Sequence, residues 1–157
     1  MKIKKVLSEK VNRGHRDIYS INLDKSLQEA AQEMCSKGIG GMLVIDSNSK
    51  PEYVGVITER DIMRSCSEVR DFAVCKVSEV MTKDLVVARM DDDVTYVMSV
   101  MTKKHIRHIP VIDENEGKTM VKGFLSIRDL LRAMIDEKEI RIQHLKDYSS
   151  TNKNTVY

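Results

Sequence analysis

The sequence predicts an α/β (α+β) fold: two β-α-β-β-α units packed on each other, with a long C-terminal helix. Three observations carry that prediction. First, the chain repeats itself. Residues 17–46 align on 84–113 without a gap, with identities at Asp17/Asp84, Asp24/Asp91, Met34/Met101, Lys37/Lys104, Ile39/Ile106, Val44/Val111, Ile45/Ile112 and Asp46/Asp113. After one extra residue in the second loop, 53–64 aligns on 121–132, matching Gly55/Gly123, Arg60/Arg128, Asp61/Asp129 and Arg64/Arg132. Second, each copy has a helical apolar period between short apolar runs. Third, each half has only about 60 residues, too few to bury much surface alone, so the halves are expected to share one globule.

The elements follow in order within each copy. A lead-in repeats Ile3, Val6 and Leu7 as Val77, Val80 and Met81. A short strand is expected near 18–21 and again near 85–88. The next helix carries Leu27, Ala30, Ala31 and Met34, or Val94, Val97, Met98 and Met101, at the i, i+3, i+4, i+7 spacing of one face. Asp24 or Ser26, and Asp91 or Asp93, offer N-caps, and Gly38 offers a C-terminal stop. Strands at 42–45 and 109–112 follow, then the polar loops SNSKPE and ENEGKT. Strands at 53–57 and 121–125 lead into a second helix. A strand reached across a helix pairs in parallel, and a strand reached across a short loop forms a hairpin. The boundaries expected are 1–70 for the first repeat, 71–147 for the second, and 148–157 for a flexible tail.

Composition narrows the function classes. With 41% hydrophobic and 32% charged residues the chain has an ordinary globular balance, and a net charge of +2 argues against a uniformly basic nucleic-acid surface. The absence of Trp argues against a base-stacking RNA platform. No stretch approaches the roughly 20 apolar residues of a membrane span, and the N-terminus has no apolar run of signal-peptide length. Cys35, Cys66 and Cys75 form no CxxC pair and read as reduced thiols of a cytoplasmic protein. His105 and His108 lack the Cys or acid that would complete a metal set, and no metal is expected. The MDDDV run (90–94) reads as a helix cap. MCSKGIGG (34–41) carries neither dinucleotide nor P-loop fingerprint. No nucleophile, base and oxyanion site assemble, so an enzyme is not expected.

The chemistry concentrates in GVITERD (55–61) and GFLSIRD (123–129). In each, a strand ends at a hydroxyl, Thr58 or Ser126, and an aspartate, Asp61 or Asp129, follows three residues later. One reading is a capping box that closes the helix N-terminus. The other is a ligand site. Backbone N–H groups and a hydroxyl at a helix start suit a phosphate, the aspartate suits ribose hydroxyls, and Arg60 or Arg128 adds charge. The residues alone leave both open.

Two copies of this unit, with GVITERDIMR, IRHIPVID and GFLSIRDLLRAM as they stand, resemble a tandem cystathionine-β-synthase (CBS) domain pair over roughly residues 1–147. The resemblance implies repeats related by a pseudo-two-fold axis, two clefts between them, and homodimeric assembly. It implies a regulatory role: binding AMP, ADP or ATP, or alternatively NAD or S-adenosylmethionine, and signalling to an unidentified regulated protein. One cleft would combine Val86, Val87, Ala88, Arg107, His108, Ile109 and Pro110 with Thr58, Arg60 and Asp61. The other would combine Ser20, Ile21, Asn22, Gly41 and Met42 with Ser126, Arg128 and Asp129. Arg107 and His108 are expected at the mouth of the first, facing phosphates; Gly40 and Gly41 stand at those positions in the other copy. One dominant phosphate site is therefore expected. A structural dimerisation module with a vestigial site is the alternative, and the Lys103, Lys104, Arg107, His108 cluster leaves nucleic acid as an outside reading.

The last helix extends past the repeat. Leu131, Ile135, Ile142 and Leu145 lie near one face, interrupted by Lys138. A partner helix or the domain itself could cover that stripe.

Overall fold

The computed structural model describes residues 1–14, 18–47, 52–68, 70–115 and 118–151. The first copy runs α1 (Ile3–Asn12), β1 (Ser20–Asn22), α2 (Leu27–Lys37), β2 (Gly41–Asp46), β3 (Glu52–Thr58) and α3 (Glu59–Ser67). The second runs α4 (Val77–Val80), β4 (Ala88–Arg89), α5 (Val94–Lys103), β5 (His108–Asn115), β6 (Lys118–Ser126) and α6 (Ile127–Thr151). Each lead-in is thus a helix, which makes the unit α-β-α-β-β-α. The loop ENEGKT is shorter than its composition suggested, because the β5–β6 ladder pairs as far as Asn115 and Lys118. Helix α6 continues past residue 147, and residues 152–157 of the expected tail lie outside the described residues.

Among the described residues the strands make two three-stranded sheets, β1-β2-β3 and β4-β5-β6. In each, the first strand pairs in parallel with the second and the second antiparallel with the third. The parallel step needs a crossover, which α2 and α5 supply. Both hairpins shift register at equivalent points, Val44/Ile45 and Val111/Ile112.

Local chemistry sets the helix ends. Ser26 accepts from the Glu29 N–H while the Glu29 carboxylate accepts from the Ser26 N–H, a reciprocal cap. Asp93 caps α5 through the Thr95 N–H at 2.9 Å. Its neighbours in the acidic run are also engaged: Asp92 takes the Arg89 N–H and Asp91 pairs with Lys4. Gly38 closes α2 with φ 62°, a left-handed turn that glycine adopts without strain. The equivalent position after α5 is His105, at φ 54°.

The cores do not divide at residue 70. Helix α1 precedes the first repeat but buries Ile3, Val6 and Leu7 among Val94, Val97, Met101 and Leu130 of the second. Helix α4 precedes the second repeat, and Val77 and Cys75 pack with Leu27, Met34 and Ile57 of the first. Backbone bonds fix both exchanges: Ile3 N–H to Asp92 O and Val94 N–H to Met1 O on one side, Val77 N–H to Lys25 O and Leu27 N–H to Cys75 O on the other. Each buried Leu or Ile contributes about 1.5–3 kcal/mol, so the exchange ties the halves into one unit. The motif glycines receive these lead-ins. A Cβ on Gly55 would come within 2.8 Å of the Met81 sulfur, and one on Gly123 would strike Leu7. A third cluster, Leu43, Val56 and Phe124, seals the sheets together.

Gly41 and His108 occupy equivalent positions, and they meet. A Cβ on Gly41 would lie 3.2 Å from His108 Nδ1. Residues that touch their own equivalents lie on the relating axis, so the pseudo-two-fold passes between β2 and β5. Among the described residues, no helix is long and apolar enough to cross a membrane.

Candidate functional site

A cavity of about 280 Å³ opens between the repeats where β3 turns into α3. Thr58 ends the strand with extended backbone, and α3 starts at Glu59. The Thr58 N–H and hydroxyl both donate to Asp61 Oδ2, at 2.9 and 2.7 Å. The capping box is therefore made. It uses one carboxylate oxygen, and among the described residues no donor reaches Oδ1. Asp61 is 8% exposed and lines the cavity.

Around it the wall is apolar on one part, cationic on another and acidic at Asp84. Val56, Leu85, Val86, Ile106 and Pro110 are apolar. Arg60, Arg64 and Lys104 are cationic, and among the described residues none has an acidic partner. Arg60 Nη1 donates to the His105 carbonyl at 2.8 Å, which joins α3 to the turn after α5. Thr82 closes one side through paired backbone bonds with Val56.

Of the residues expected at this cleft, Thr58, Arg60, Asp61, Val86, Arg107, His108 and Pro110 come together. Val87, Ala88 and Ile109 do not line the cavity. Successive side chains of a strand face opposite sides, so Ile109 and Ala88, each 1% exposed, sit in the second core, while Val87, just before β4, is exposed. The basic pair is also arranged differently from the expectation. Arg107 Nη2 binds Glu59 Oε1 at 2.8 Å, so its charge is already compensated. His108 stacks on Phe124 with centroids 5.5 Å apart, and its Nδ1 is buried without a hydrogen bond. Burial pushes this imidazole below its ordinary 6.5; Glu59 and Asp129 oppose that, while Arg107 and Lys10 reinforce it. The ring is neutral at pH 7 and brings no charge to the mouth. The cations that do stand there include Arg64, which sequence reasoning did not assign, and Lys104, which it placed only in the basic cluster of the nucleic-acid reading. Arg64 was legible one helical turn beyond Arg60.

Glycine in the first repeat explains this placement. Gly41 leaves the volume that the His108 ring fills, and a Cβ on Gly40 would collide with the Glu59 carboxylate that holds Arg107. Residues absent from one copy make room for side chains of the other.

The second cleft differs. Ser126 N–H and hydroxyl bind Asp129 Oδ2 at 2.7 and 2.8 Å, the same box. Here, however, Lys10 Nζ from α1 lies 3.3 Å from that oxygen and donates to Phe124 O at 2.8 Å. Burial alone would raise the Asp129 carboxyl, but the Ser126 N–H, the Lys10 ammonium and the Ser126 hydroxyl hold it below its ordinary value. Of the other residues expected there, Ile21 and Met42 are core side chains, Arg128 is exposed, and Ser20 is at the surface. Asn22 spends its amide on Ser47 and Asp24. Gly41 is closed off by His108 and Thr58.

Comparison with known proteins supplies the family. A family model described as CBS domain matches twice, at residues 12–68 and 77–136. An uncharacterized 17.7 kDa protein of Acidianus ambivalens is 40% identical over 119 residues, covering 76% of this chain and 68% of that protein. The inosine-5′-monophosphate dehydrogenase of Nitrosopumilus maritimus is 34% identical over 112 residues, 71% of this chain but 21% of the enzyme, so the match spans about a fifth of its length. Among solved structures, a protein with CBS domains from Burkholderia ambifaria aligns with TM-score 0.76 and 30% identity, covering 87% of this chain and 95% of that one. A CBS domain protein from Pyrobaculum aerophilum complexed with AMP aligns with TM-score 0.70 and 24% identity, covering 87% and 97%. A CBS domain pair in complex with 5′-methylthioadenosine and S-adenosyl-L-methionine gives TM-score 0.70 and 23% identity, covering 87% and 98%. These last two show the fold alone.

Proposed function

The chain belongs to the CBS-domain family, and we propose that it is a regulatory module that binds an adenosine nucleotide, AMP, ADP or ATP, in the first cleft. One observation carries the reading: the hydroxyl-x-x-Asp box and three cations without acidic partners among the described residues face one cavity that also has an apolar wall, with Asp84 the one other acid among its lining residues. In this arrangement the base lies against Val56, Leu85, Val86, Ile106 and Pro110. The ribose hydroxyls donate to Asp61. The phosphates meet the α3 N-terminus, Thr58, Arg60, Arg64 and Lys104. Arg107 joins them only if it leaves Glu59. The complexes of fold relatives with AMP and with S-adenosyl-L-methionine support an adenosine ligand, and S-adenosylmethionine or NAD is the alternative.

The module acts without catalysis, as a cytoplasmic sensor. A ligand that bridges α3 and the α5–β5 turn favours the arrangement in which both repeats contact it, by its differential affinity for that arrangement. A regulated protein reads the change. A second copy of the chain covers the exposed stripe of α6, where Leu131, Ile135, Ile142 and Leu145 are 46 to 64% exposed.

Isothermal titration with AMP, ADP, ATP, NAD and S-adenosylmethionine tests the reading. Saturable binding of one of them, lost in Asp61→Ala, is the expected result. A folded protein that binds none of the five would leave the dimerisation module with a vestigial site as the better account.

A further inference from the structure

Helix α1 carries a lysine into the second cleft, and among the described residues the first cleft has no counterpart. Leu7 seats α1 on the face of Gly123, as Met81 seats its own segment on Gly55. Beyond that shared anchor the two lead-ins part. Helix α4 stops at Val80, and the chain runs on through Thr82, which pairs with Val56 beside the first cavity. Helix α1 continues to Asn12, held at its end by Arg13 on Asp136 at 2.8 Å. The added turn delivers Lys10, whose side chain is 16% exposed, to Asp129 and to the Phe124 carbonyl.

The chemistry of those two contacts decides what the lysine does there. A ribose needs the aspartate as an acceptor. In the first cleft Asp61 gives Oδ2 to the cap and, among the described residues, meets no cation. In the second, the Ser126 N–H, the Ser126 hydroxyl and the Lys10 ammonium all reach Asp129 Oδ2, so this carboxylate differs from Asp61 not by a lost Oδ1 but by a cation that the fold holds against it. A tethered donor competes at a high effective concentration against a free one. A ligand hydroxyl at Asp129 meets a carboxylate whose charge is already neutralised by Lys10 and is the weaker acceptor for it, and pushing Lys10 aside would leave a mostly buried side chain short of its anionic partner.

We propose that Lys10 is a specificity-determining residue that occupies Asp129 from within the chain and closes the second cleft to nucleosides, leaving one adenosine site per chain. This rests on reading the hydroxyl-x-x-Asp box of the first cleft as a nucleoside site.

Calorimetric titration of the full chain with AMP and with ATP tests it, on the wild type, Lys10→Ala, Lys10→Met and each of these combined with Asp129→Ala. The methionine keeps the buried stem and deletes the ammonium, so a packing defect of the alanine does not decide the outcome. The expected result is one binding event per chain in the wild type. A second event should appear in one or both Lys10 variants and vanish with Asp129→Ala. Two events in the wild type, or one event in the wild type and in both variants, would overturn the proposal while the first-cleft reading stands. Binding that appears only in a Lys10 variant and needs Asp129 would uphold the proposal and sink the first-cleft reading. No binding in any variant would overturn both.

Discussion

The two clefts carry the same motif and differ in what faces it. Thr58–Asp61 and Ser126–Asp129 make the same four-residue box with nearly the same distances. Beside the first lie Arg60, Arg64 and Lys104, none of them with an acidic partner among the described residues, together with Asp84 and an apolar wall. Beside the second lies Lys10, already bound. The motif is therefore a helix cap in both copies and a candidate ligand site in one. A local pattern fixes a local structure, and the non-local neighbours decide whether its carboxylate keeps its charge for a ligand or shares it with a lysine.

Affinity should separate the two boxes most widely. Asp61→Ala should remove two charge-assisted ribose bonds and weaken nucleotide binding by about 3 kcal/mol or more, over a hundredfold in Kd. Asp129→Ala should leave that affinity within a few-fold, as read by the same titration.

Stability should show the reverse order. Asp61→Ala costs one cap, about 1 kcal/mol. Asp129→Ala costs the same cap and also strands Lys10, so its urea midpoint should fall further, by about 1–2 kcal/mol in stability. Equal losses in the two variants would remove the distinction drawn between the boxes.

On the axis itself, Gly41→Val should cost about 1–3 kcal/mol, because a Cβ there already meets His108 Nδ1 at 3.2 Å and Thr58 Cγ2 at 3.3 Å. Adding His108→Ala should recover part of that loss. Additive losses in a double-mutant cycle would show that the two residues do not share the volume.

The same imidazole gives a pH signature. Its folded value is depressed below the 6.5 of an exposed histidine. The unfolded chain therefore binds more protons below 6.5, and stability from this group is complete above that value and declines as pH falls beneath it. His108→Gln should flatten the stability profile on the acid side of 6.5, measured by denaturant unfolding across that range.

The smallest effect concerns the helix ends. His105 holds the left-handed turn that Gly38 holds in the other copy, at a cost of about 1 kcal/mol. His105→Gly should raise stability by a few tenths to 1 kcal/mol, since glycine's greater chain entropy offsets part of the relief. A decrease would mean that the imidazole makes a stabilising contact at the cavity rim.

Much of this frame is legible in the order of residues. The repeat, the faces of α2 and α5, the cap at Gly38 and the motif boundaries rest on short-range periodicity, which a sequence displays directly. The exchange of α1 and α4 between halves is not legible. Val77–Val80 is four residues long, too short to show a helical period, and nothing in the sequence says that Ile3 packs on Val94 rather than on its own repeat. The site is half legible for the same reason. Thr58 and Asp61 follow from the motif, and Arg107 and His108 line the same cavity. The partners of that basic pair do not show in the sequence, because Glu59 and Phe124 reach them only through the packing of the sheets around the pseudo-two-fold axis. Ile109, Ala88, Ile21 and Met42 fall within the spans expected to line the clefts, and strand alternation sends them to the cores.

Whether ligand binds at the first box and not the second is read from backbone amide shifts of the isotopically labelled chain, followed through titration with AMP and then with ATP. Perturbation should concentrate at Thr58–Asp61, Leu85, Val86 and Lys104–His108, with Ser126–Asp129 and Lys10 unmoved. Shifts centred on Ser126–Asp129 would contradict the assignment, and so would saturating binding that left Thr58–Asp61 unchanged.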